Sequence, residues 1–460
     1  MRSRWYETTA FFTTARNSEL LKFTTTKSNY FSATQNKSPY QHRLFSGYTL
    51  GQIIHPKEEN PLPKSNFLNT TNANENGPLA CSRLGLDPSQ NRFHAPLVYH
   101  EDYSFSNWPT NHTFPMDKFE RLAYALTSTC KKTHPGVSTL SRPLVRSYND
   151  FFRPLDIDDI PYHLFSNSKD LLLELGENHE HNNLQHYHEE GPIEHSFLYR
   201  FLKGKLSQDE ERWIGFREQT KRKELITRTV LEVAGTILTT QLALQYGIAS
   251  NAAGGTHHAS PNRGAGYTIL NDLAIAAHFL TQKNDIGDKN KTKINKVLIV
   301  DADVHQGDGT AKFYDLHKEN RLITLSIHCQ DNYPTPKANS TYDIGLKTGC
   351  RDEEYMEEFT KGVDKAILET HPDLVLYDAG VDVFIKDKLG RLKITEKGIR
   401  KRDRWLLERC VNNNIPVAAV IGGGYDKDVN VLARRHAIVH EECAYIWRKH
   451  KMWKTQESLK

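Results

Sequence analysis

Four short runs of mainly apolar residues in the carboxyl-terminal half of the chain constrain its fold more than any other feature. The runs cover residues 297–300, 322–327, 374–377 and 417–421. They lack helical periodicity, which is typical of strands buried on both faces of a sheet. Segments with helical periodicity lie between the later runs, near residues 353–369 and 395–412. This alternation predicts an α/β fold with a mainly parallel central sheet and helices on both faces.

Further helices are predicted upstream of these runs. The strongest pattern covers residues 225–246, where apolar residues recur at helical spacing and Gly247 follows as a terminator. Shorter helices are expected to begin near Met116 and to cover residues 273–280. Ordered structure is expected to begin with a short strand at Leu97.

The rest of the chain has the composition of extensions and insertions. Of its 460 residues, 38% are hydrophobic, and the mean hydropathy of −0.63 indicates that polar segments are attached to a core. We therefore expect a low-complexity, disordered extension (1–95), one folded domain (96–450) and a short tail (451–460). Residues 167–195 are predicted to be an inserted surface loop. Its His-rich part, residues 179–195, lacks the apolar periodicity that would fix metal ligands.

Residues 1–48 admit two interpretations. They are rich in Ser, Thr, Arg and Lys, and Glu7 and Glu19 are their only acids. This composition is typical of a transit peptide for a mitochondrion or plastid. A disordered basic tail has the same composition, and the protein would then belong in the nucleus or cytoplasm. The sequence leaves both interpretations open.

Charge, cysteine content and hydropathy exclude several classes of protein. A formal net charge of +4 is too mild to indicate nucleic-acid binding. The six cysteines form no CxxC pair, so neither a disulfide framework nor a zinc ribbon is indicated. No apolar run approaches the length that would cross a bilayer, and we expect a soluble protein.

Acidic and histidine residues follow the first apolar run directly. The segment reads KVLIVDADVHQGDGT and contains Asp301, Asp303, His305 and Asp308. In an extended segment alternate side chains share a side, so Asp303 and His305 can face one small volume. Alone, the segment is more typical of a solvated acidic loop, since short motifs give many false positives.

Three other segments add chemically active side chains near strand ends. GGTHHA contains His257 and His258, YDAGVD contains Asp378 and Asp382, and IGGGYD contains Tyr425. Each motif is weak by itself. Because the carboxyl ends of parallel strands meet at one edge of a sheet, we expect these side chains to lie close together.

Metal-assisted hydrolysis is the chemistry that uses such a set. Two carboxylates and one imidazole hold zinc and leave a position where water is acidified and a carbonyl polarised. A nearby histidine can accept the proton from that water. A tyrosine hydroxyl can donate a hydrogen bond to the developing oxyanion. Carboxylates behind the histidines would fix their tautomers, and Asp301 and Asp308 are available for this.

From about residue 97 to residue 446, the chain resembles the histone deacetylase superfamily. The motifs GGTHHA, GYTILND, VDADVHQGDGT, LSIH, YDAGVD and IGGGY occur in the family's order. GGTHHA, and the single His305 followed by Gln306, are more similar to class IV and bacterial deacetylases than to class I. The resemblance implies a single three-layer α/β domain of the arginase-deacetylase type.

The resemblance also implies roles for individual residues. Asp303, His305 and Asp382 match the zinc ligands. His258 matches the proton shuttle backed by Asp308, and His257 the electrostatic histidine backed by Asp301. Tyr425 matches the tyrosine that stabilises the transition state. Gly266, Tyr267 and, on the opposite wall, Tyr333 match the substrate channel, and a structural potassium ion is implied near Asp301, Asp303 and Ser326.

The implied activity is zinc-dependent hydrolysis of acyl-lysine amides in histones or other proteins, with a role in chromatin or gene-expression regulation. Neither nucleic acid nor a membrane is an expected partner. An acetylpolyamine or other small-amide hydrolase would share every site residue and differ at the rim. A zinc-bound, non-catalytic scaffold is the alternative outside enzymology.

Overall fold

A computed structural model gives the structure of the protein. It describes residues 80–83, 92–127, 143–145, 148–154, 197–282, 294–316 and 321–454. The basic segment 1–48 and the predicted insertion 167–195, including its His-rich part, lie outside the described residues.

Nine strands form one sheet in the described part of the chain. They are β1 (Ala80–Arg83), β2 (Leu97–Val98), β3 (Phe152–Pro154), β4 (Ile248–Asn251), β5 (Val297–Asp301), β6 (Leu322–Cys329), β7 (Tyr342–Leu346), β8 (Leu374–Asp378) and β9 (Val417–Val420). Their order is β1-β3-β2-β4-β9-β8-β5-β6-β7. Strands β2 to β9 run parallel, and only β1 is antiparallel to its neighbour. The predicted mainly parallel sheet is confirmed.

Nine α-helices flank the sheet among the described residues. They are α1 (Lys118–Thr127), α2 (Phe197–Leu202), α3 (Gln208–Ile214), α4 (Lys223–Tyr246), α5 (Asp272–Gln282), α6 (Asp308–Leu316), α7 (Asp352–Thr370), α8 (Glu396–Asn412) and α9 (Val429–Lys449). On one face α4 packs against α5, and on the other α9 packs against α1 and α8. The three-layer α/β domain is therefore confirmed. Within the described segments, no helix combines the length and the apolar character that a membrane span requires.

The predicted elements lie close to the observed ones. Helix α4 ends as expected, because Gly247 adopts a left-handed conformation (φ +87°) and its amide hydrogen-bonds to the carbonyl of Ala243. The central strands β5, β8 and β9 are buried at every residue, which explains their uniform apolar sequences. Strands β3, β4 and β7 were not predicted. The sequence of β4, IASN, is half polar, and β7 is an edge strand that alternates between partly buried and exposed residues.

The predicted boundary at residue 95 requires correction. Residues 80–83, assigned to the disordered extension, form β1 and pair with β3. His94 and Ala95 are also buried. The sequence ACSR contains no apolar run, so only its long-range pairing identifies it as a strand. At the other end, Met452–Lys454 forms a short 3-10 turn whose Met452 and Trp453 pack against the core, so the tail is not wholly separate from the domain.

Candidate active site

The loops that follow β4, β9, β8 and β5 lie side by side at the carboxyl edge of the sheet, because these strands are neighbours in that order. Each loop carries part of the predicted site: His257 and His258 after β4, Tyr425 after β9, Asp382 after β8, and Asp303 to Asp308 after β5. Open parallel sheets bind ligands at this edge. The fold thus brings together side chains that are up to 168 positions apart, between His257 and Tyr425.

Asp303, His305 and Asp382 converge on one small volume. Nδ1 of His305 lies 3.0 Å from Oδ1 of Asp303 and 3.2 Å from Oδ2 of Asp382. One ligand atom from each residue lies within 4.8 Å of the others, and all three side chains are buried. Backbone amides hold the carboxylates in place: Val304 donates to Asp382 (2.8 Å) and Gly423 donates to Asp303 (2.9 Å).

This cluster fits a zinc ion. Oδ2 of Asp382 is buried, and although Nδ1 of His305 lies 3.2 Å away, no described residue donates to this oxygen with hydrogen-bond geometry. A buried carboxylate oxygen without a donor is costly unless a cation or a proton neutralises it. Burial opposes a charge on His305, but Asp303 and Asp382 outweigh it and raise the pKa of His305 to about 10. The pocket therefore favours positive charge, and two carboxylates with one imidazole are a donor set that zinc accepts.

Each histidine of the GGTHHA motif is paired with its own carboxylate. Nδ1 of His257 lies 2.8 Å from Asp301, and Nδ1 of His258 lies 2.8 Å from Asp308. The two imidazole rings are 4.1 Å apart. A carboxylate at Nδ1 holds the proton there, so that Nε2 remains free to accept another.

The two histidines differ in electrostatic environment. Burial and the neighbouring His257 lower the pKa of His258 to about 4. Burial acts on His257 in the same direction, but Asp301 and Asp303 outweigh it and hold the pKa of His257 well above its usual value. Near pH 7, His258 is therefore neutral and can act as a proton acceptor.

Two glycine-rich loops pass in close contact to position these groups. Gly255 adopts φ +90°, and a Cβ atom there would lie 2.5 Å from the Cα of Gly422. The carboxylate of Asp272 anchors the first loop by accepting hydrogen bonds from the amides of Gly255 and Thr256. The glycines allow the histidine loop to approach the tyrosine loop across the top of the sheet.

Tyr425 faces this pocket from the second loop. Its backbone amide donates to Oδ2 of Asp387 at 2.7 Å, which fixes the start of the tyrosine segment. Only 8% of the side chain is exposed. Burial, with the nearby Asp382 and Asp303 carboxylates, raises the pKa of Tyr425 well above its usual value. Its hydroxyl therefore keeps its proton and can donate a hydrogen bond.

Gly266, Tyr267 and Tyr333, predicted to line the channel, all lie near the histidine pair. A Cβ atom on Gly266 would lie 2.4 Å from the ring of His258, so only glycine fits there. The Tyr267 ring stacks on Phe216 (5.8 Å between centroids) and lies 6.1 Å from that of Tyr425. The Tyr333 ring lies 4.8 Å from that of His258 and remains 43% exposed. Phe216 and Phe114, whose rings are 5.3 Å apart, complete the aromatic wall.

Three residues near the site were assigned no specific role from the sequence, although Asp378 was expected to lie near the others. Asp378 is fully buried, and its Oδ2 lies 3.9 Å from Nδ1 of His257. Lys118 is buried and donates to the carbonyl of Gly422 at 3.0 Å. Arg402 is buried and donates to the carbonyls that precede two metal ligands. The signal for Asp378 was available, because it ends an apolar strand as Asp301 does.

Ser326 lies beside Asp301 on the adjacent strand, as the predicted potassium site requires. Its hydroxyl is hydrogen-bonded to Nδ1 of His328 at 3.0 Å. The potassium ion itself stays a prediction.

Comparison with known proteins identifies the family. The family model that describes the histone deacetylase domain matches residues 169–441 of this sequence, more than half of the chain. The protein belongs to the histone deacetylase family. The resemblance found in the sequence is thus confirmed, and the chain contains a deacetylase-type hydrolase domain.

Several relatives of this histone deacetylase domain define how far the similarity extends. An uncharacterized protein of Picosynechococcus sp. is 36% identical over 345 residues, which cover 75% of this chain and 97% of that protein. Histone deacetylase 2 of Arabidopsis thaliana is 33% identical over 199 residues, covering 43% of this chain and 49% of the relative. The acetoin utilization protein AcuC of Staphylococcus aureus (strain MSSA476) is 26% identical over 242 residues, covering 48% and 59%. This chain therefore spans about half of the two named relatives.

The fold is also similar to a solved structure of the family. The crystal structure of the HDA15 HD domain superposes with a TM-score of 0.50 at 17% identity, over 78% of this chain and 89% of that one. At this identity the likeness supports the histone deacetylase fold and not a shared substrate.

Proposed function

We propose that this histone deacetylase family member is a zinc-dependent lysine deacetylase that hydrolyses acyl-lysine amides in histones or other proteins. One observation carries the proposal. Three groups converge on one pocket. They are a cation-favouring trio (Asp303, His305 and Asp382), a histidine pair with a carboxylate behind each ring, and a protonated tyrosine. Acting on histones, such an enzyme would affect chromatin and gene expression.

Asp303, His305 and Asp382 would hold the zinc ion. When bound, zinc supplies Lewis acidity toward the amide carbonyl and lowers the pKa of a water molecule. The buried surroundings exclude other water and strengthen each charge interaction. The protein's task is then to move protons and to stabilise the oxygen of the reacting carbonyl.

His258 is placed to move the proton. Asp308 holds its Nδ1, so Nε2 is the atom that can accept a proton from water. Burial would raise the pKa of Asp308, but His258 and Lys312 outweigh it and lower the pKa to about 2, so this carboxylate remains ionised and stabilises the imidazolium once it forms. The same proton can pass from Nε2 to the nitrogen of the departing lysine. The water oxygen bonds to the carbonyl carbon, the C–N bond breaks, and a carboxylate and a free lysine amine result.

Tyr425 and His257 would stabilise the carbonyl oxygen of the amide as water attacks its carbon. The Tyr425 hydroxyl lines the same pocket and is protonated at neutral pH. A hydrogen bond to the developing oxyanion is worth about 3 to 4 kcal/mol in comparable sites. His257 is held against Asp301 at the base of the pocket, where it would contribute electrostatically.

The test measures hydrolysis of acetyl-lysine peptides, longer acyl-lysine peptides and acetylpolyamines by the zinc-loaded full-length protein. We expect release of acetate from acetyl-lysine peptides, with loss of activity after chelation and recovery with zinc. Tyr425→Phe should lower kcat by about 10²- to 10³-fold while zinc content is unchanged. Absence of turnover of every acyl-lysine peptide in the zinc-loaded protein would refute the proposal. A strong preference for acetylpolyamines would instead indicate the small-amide hydrolase.

A further inference from the structure

Three loops surround the mouth of the pocket and carry a marked excess of positive charge. We call them the mouth loops: residues 260–266, 330–338 and 385–391. The first places Gly266 against the ring of His258, and the second places Tyr333 against the same ring. The third is joined to the site through Asp387, which accepts the amide of Tyr425, and to the second through Asn332, which donates to the carbonyl of Leu389.

The cations of the mouth loops are Arg263, Lys337, Lys386, Lys388 and Arg391. Lys386, Lys388 and Arg391 are exposed, and Arg263 and Lys337 are partly exposed. None of the five forms an ion pair with a carboxylate of the described residues. Lys337 and Arg391 donate only to backbone carbonyls of the second loop.

The acids of the same loops do not balance this charge. They are Asp331 and Asp387. Asp387 is directed inward and accepts hydrogen bonds from three backbone amides, those of Leu389, Gly390 and Tyr425. Asp331 is exposed, but one acid stands against five cations. Unpaired cations around a recessed site create a positive potential that attracts acidic groups and repels basic ones.

Exposed aromatic rings complete this surface. Trp213 at the end of α3 is 58% exposed, and the guanidinium of Arg263 lies 4.6 Å above its ring. Tyr333 is 43% exposed. Large exposed aromatic side chains are common where a polypeptide is bound.

We infer that the substrates are polypeptide segments in which acidic residues flank the acyl-lysine, and not the strongly basic segments typical of histone tails. This inference rests on the proposed deacetylase function, since the acyl-lysine side chain must occupy the pocket. An extended chain advances about 3.3 to 3.6 Å per residue. The two residues on each side of the acyl-lysine would therefore lie over the mouth loops.

The test uses three acetyl-lysine peptides of equal length whose four flanking positions are Glu, Gln or Lys. Binding of labelled peptides to the zinc-loaded Tyr425→Phe protein gives Kd, and turnover by the wild type gives kcat/KM. We expect the order Glu, Gln, Lys, with about a tenfold difference between the extremes at low salt. The difference should shrink at 300 mM NaCl because salt screens exposed charges.

Two charge-reversed variants locate the effect. Lys386→Glu/Lys388→Glu should abolish or invert the preference. Lys361→Glu/Lys401→Glu changes the same charge at exposed positions on α7 and α8 and should retain it. Equal Kd values for the three peptides, a preference for Lys flanks, or equal effects of the two double variants would overturn the inference. Ordered Kd values without hydrolysis of any peptide would instead refute the deacetylase proposal.

Discussion

The carboxylates that pair with His257 and His258 have different neighbours. Asp301 is enclosed by other buried acids, Asp303 and Asp378. Asp308 also contacts Nζ of Lys312 at 3.0 Å, and that lysine is 40% exposed. The Asp308 side of the pair is therefore closer to solvent, where protons must enter and leave.

Replacing Asp308 with Asn should retain zinc and reduce the rate. The amide cannot hold the proton at Nδ1 as the carboxylate does or stabilise the imidazolium, so we expect kcat to fall about 10- to 100-fold. Asp303→Ala should instead lose the zinc ion, because it removes one of its ligands. Zinc content by elemental analysis and kcat on one peptide would be measured for both.

Lys312→Met serves as the control for Asp308→Asn, since it removes the other partner of that carboxylate but leaves the bond to His258. It should change kcat less than threefold. A similar loss of rate in Lys312→Met and Asp308→Asn would contradict the role given to His258.

At the scale of single residues, the sequence identifies the site residues that directly follow apolar runs. Asp303, His305 and Tyr425 could be identified because strand ends mark the edge where sites form. Asp378 was noted, but its position beside His257 depends on the register of β5 and β8, which pairs Asp301 with Asp378. Register between strands 77 positions apart cannot be derived from local periodicity.

Helix α8 contacts the loops of the site through the side chain of Arg402. Arg402 is completely buried. Its guanidinium donates to the carbonyls of Ala302 (3.0 Å), Gly380 (2.9 Å) and Ala379 (3.2 Å). Ala302 immediately precedes Asp303, and Gly380 and Ala379 lie two and three residues before Asp382. One planar group with several donors thus fixes the spacing of two metal-binding segments.

Arg402→Met should weaken both the fold and the metal site. It leaves three buried carbonyls without this donor and leaves the Asp403 carboxylate with only the Tyr377 hydroxyl, and breaking such a buried network costs about 3 to 5 kcal/mol of unfolding free energy. We expect a zinc Kd at least about tenfold higher than that of wild type. Urea unfolding and competition with a zinc chelator would measure the two effects.

Arg402→Lys and Lys401→Met provide the comparison on the same helix. Arg402→Lys retains the charge but not the fork of donors, so an intermediate effect is expected. Lys401 is exposed, and its replacement should leave stability and zinc affinity unchanged. Unaltered zinc affinity in Arg402→Met would show that the loops hold their spacing without this contact. Helical periodicity predicted α8 but could not identify Arg402, because a buried arginine in a polar helix has no distinct local pattern.

For the whole molecule, the edge strand β1 extends the folded domain toward the amino terminus. It pairs with β3 at Ala80, Ser82 and Arg83, with a register shift between Ala80 and Ser82. A protein lacking residues 1–91 should therefore be less stable than one lacking residues 1–79, by about 1 to 3 kcal/mol for the lost backbone hydrogen bonds. Urea denaturation of both truncated proteins would measure this, and equal midpoints would show that β1 adds nothing.

The order of the sheet has a consequence for synthesis. Strand β9, the last of the described strands, lies between β4 and β8 and joins strands β1 to β4 with strands β5 to β8. Until residues 417–420 leave the ribosome, each group has an open edge that can pair with another chain. The metal-binding trio lies wholly within the second group, whereas the histidine pair follows the first. A nascent chain can therefore assemble its metal ligands before the histidine pair, although synthesised earlier, is held beside them, and hydrolytic competence begins only when the last strand is inserted.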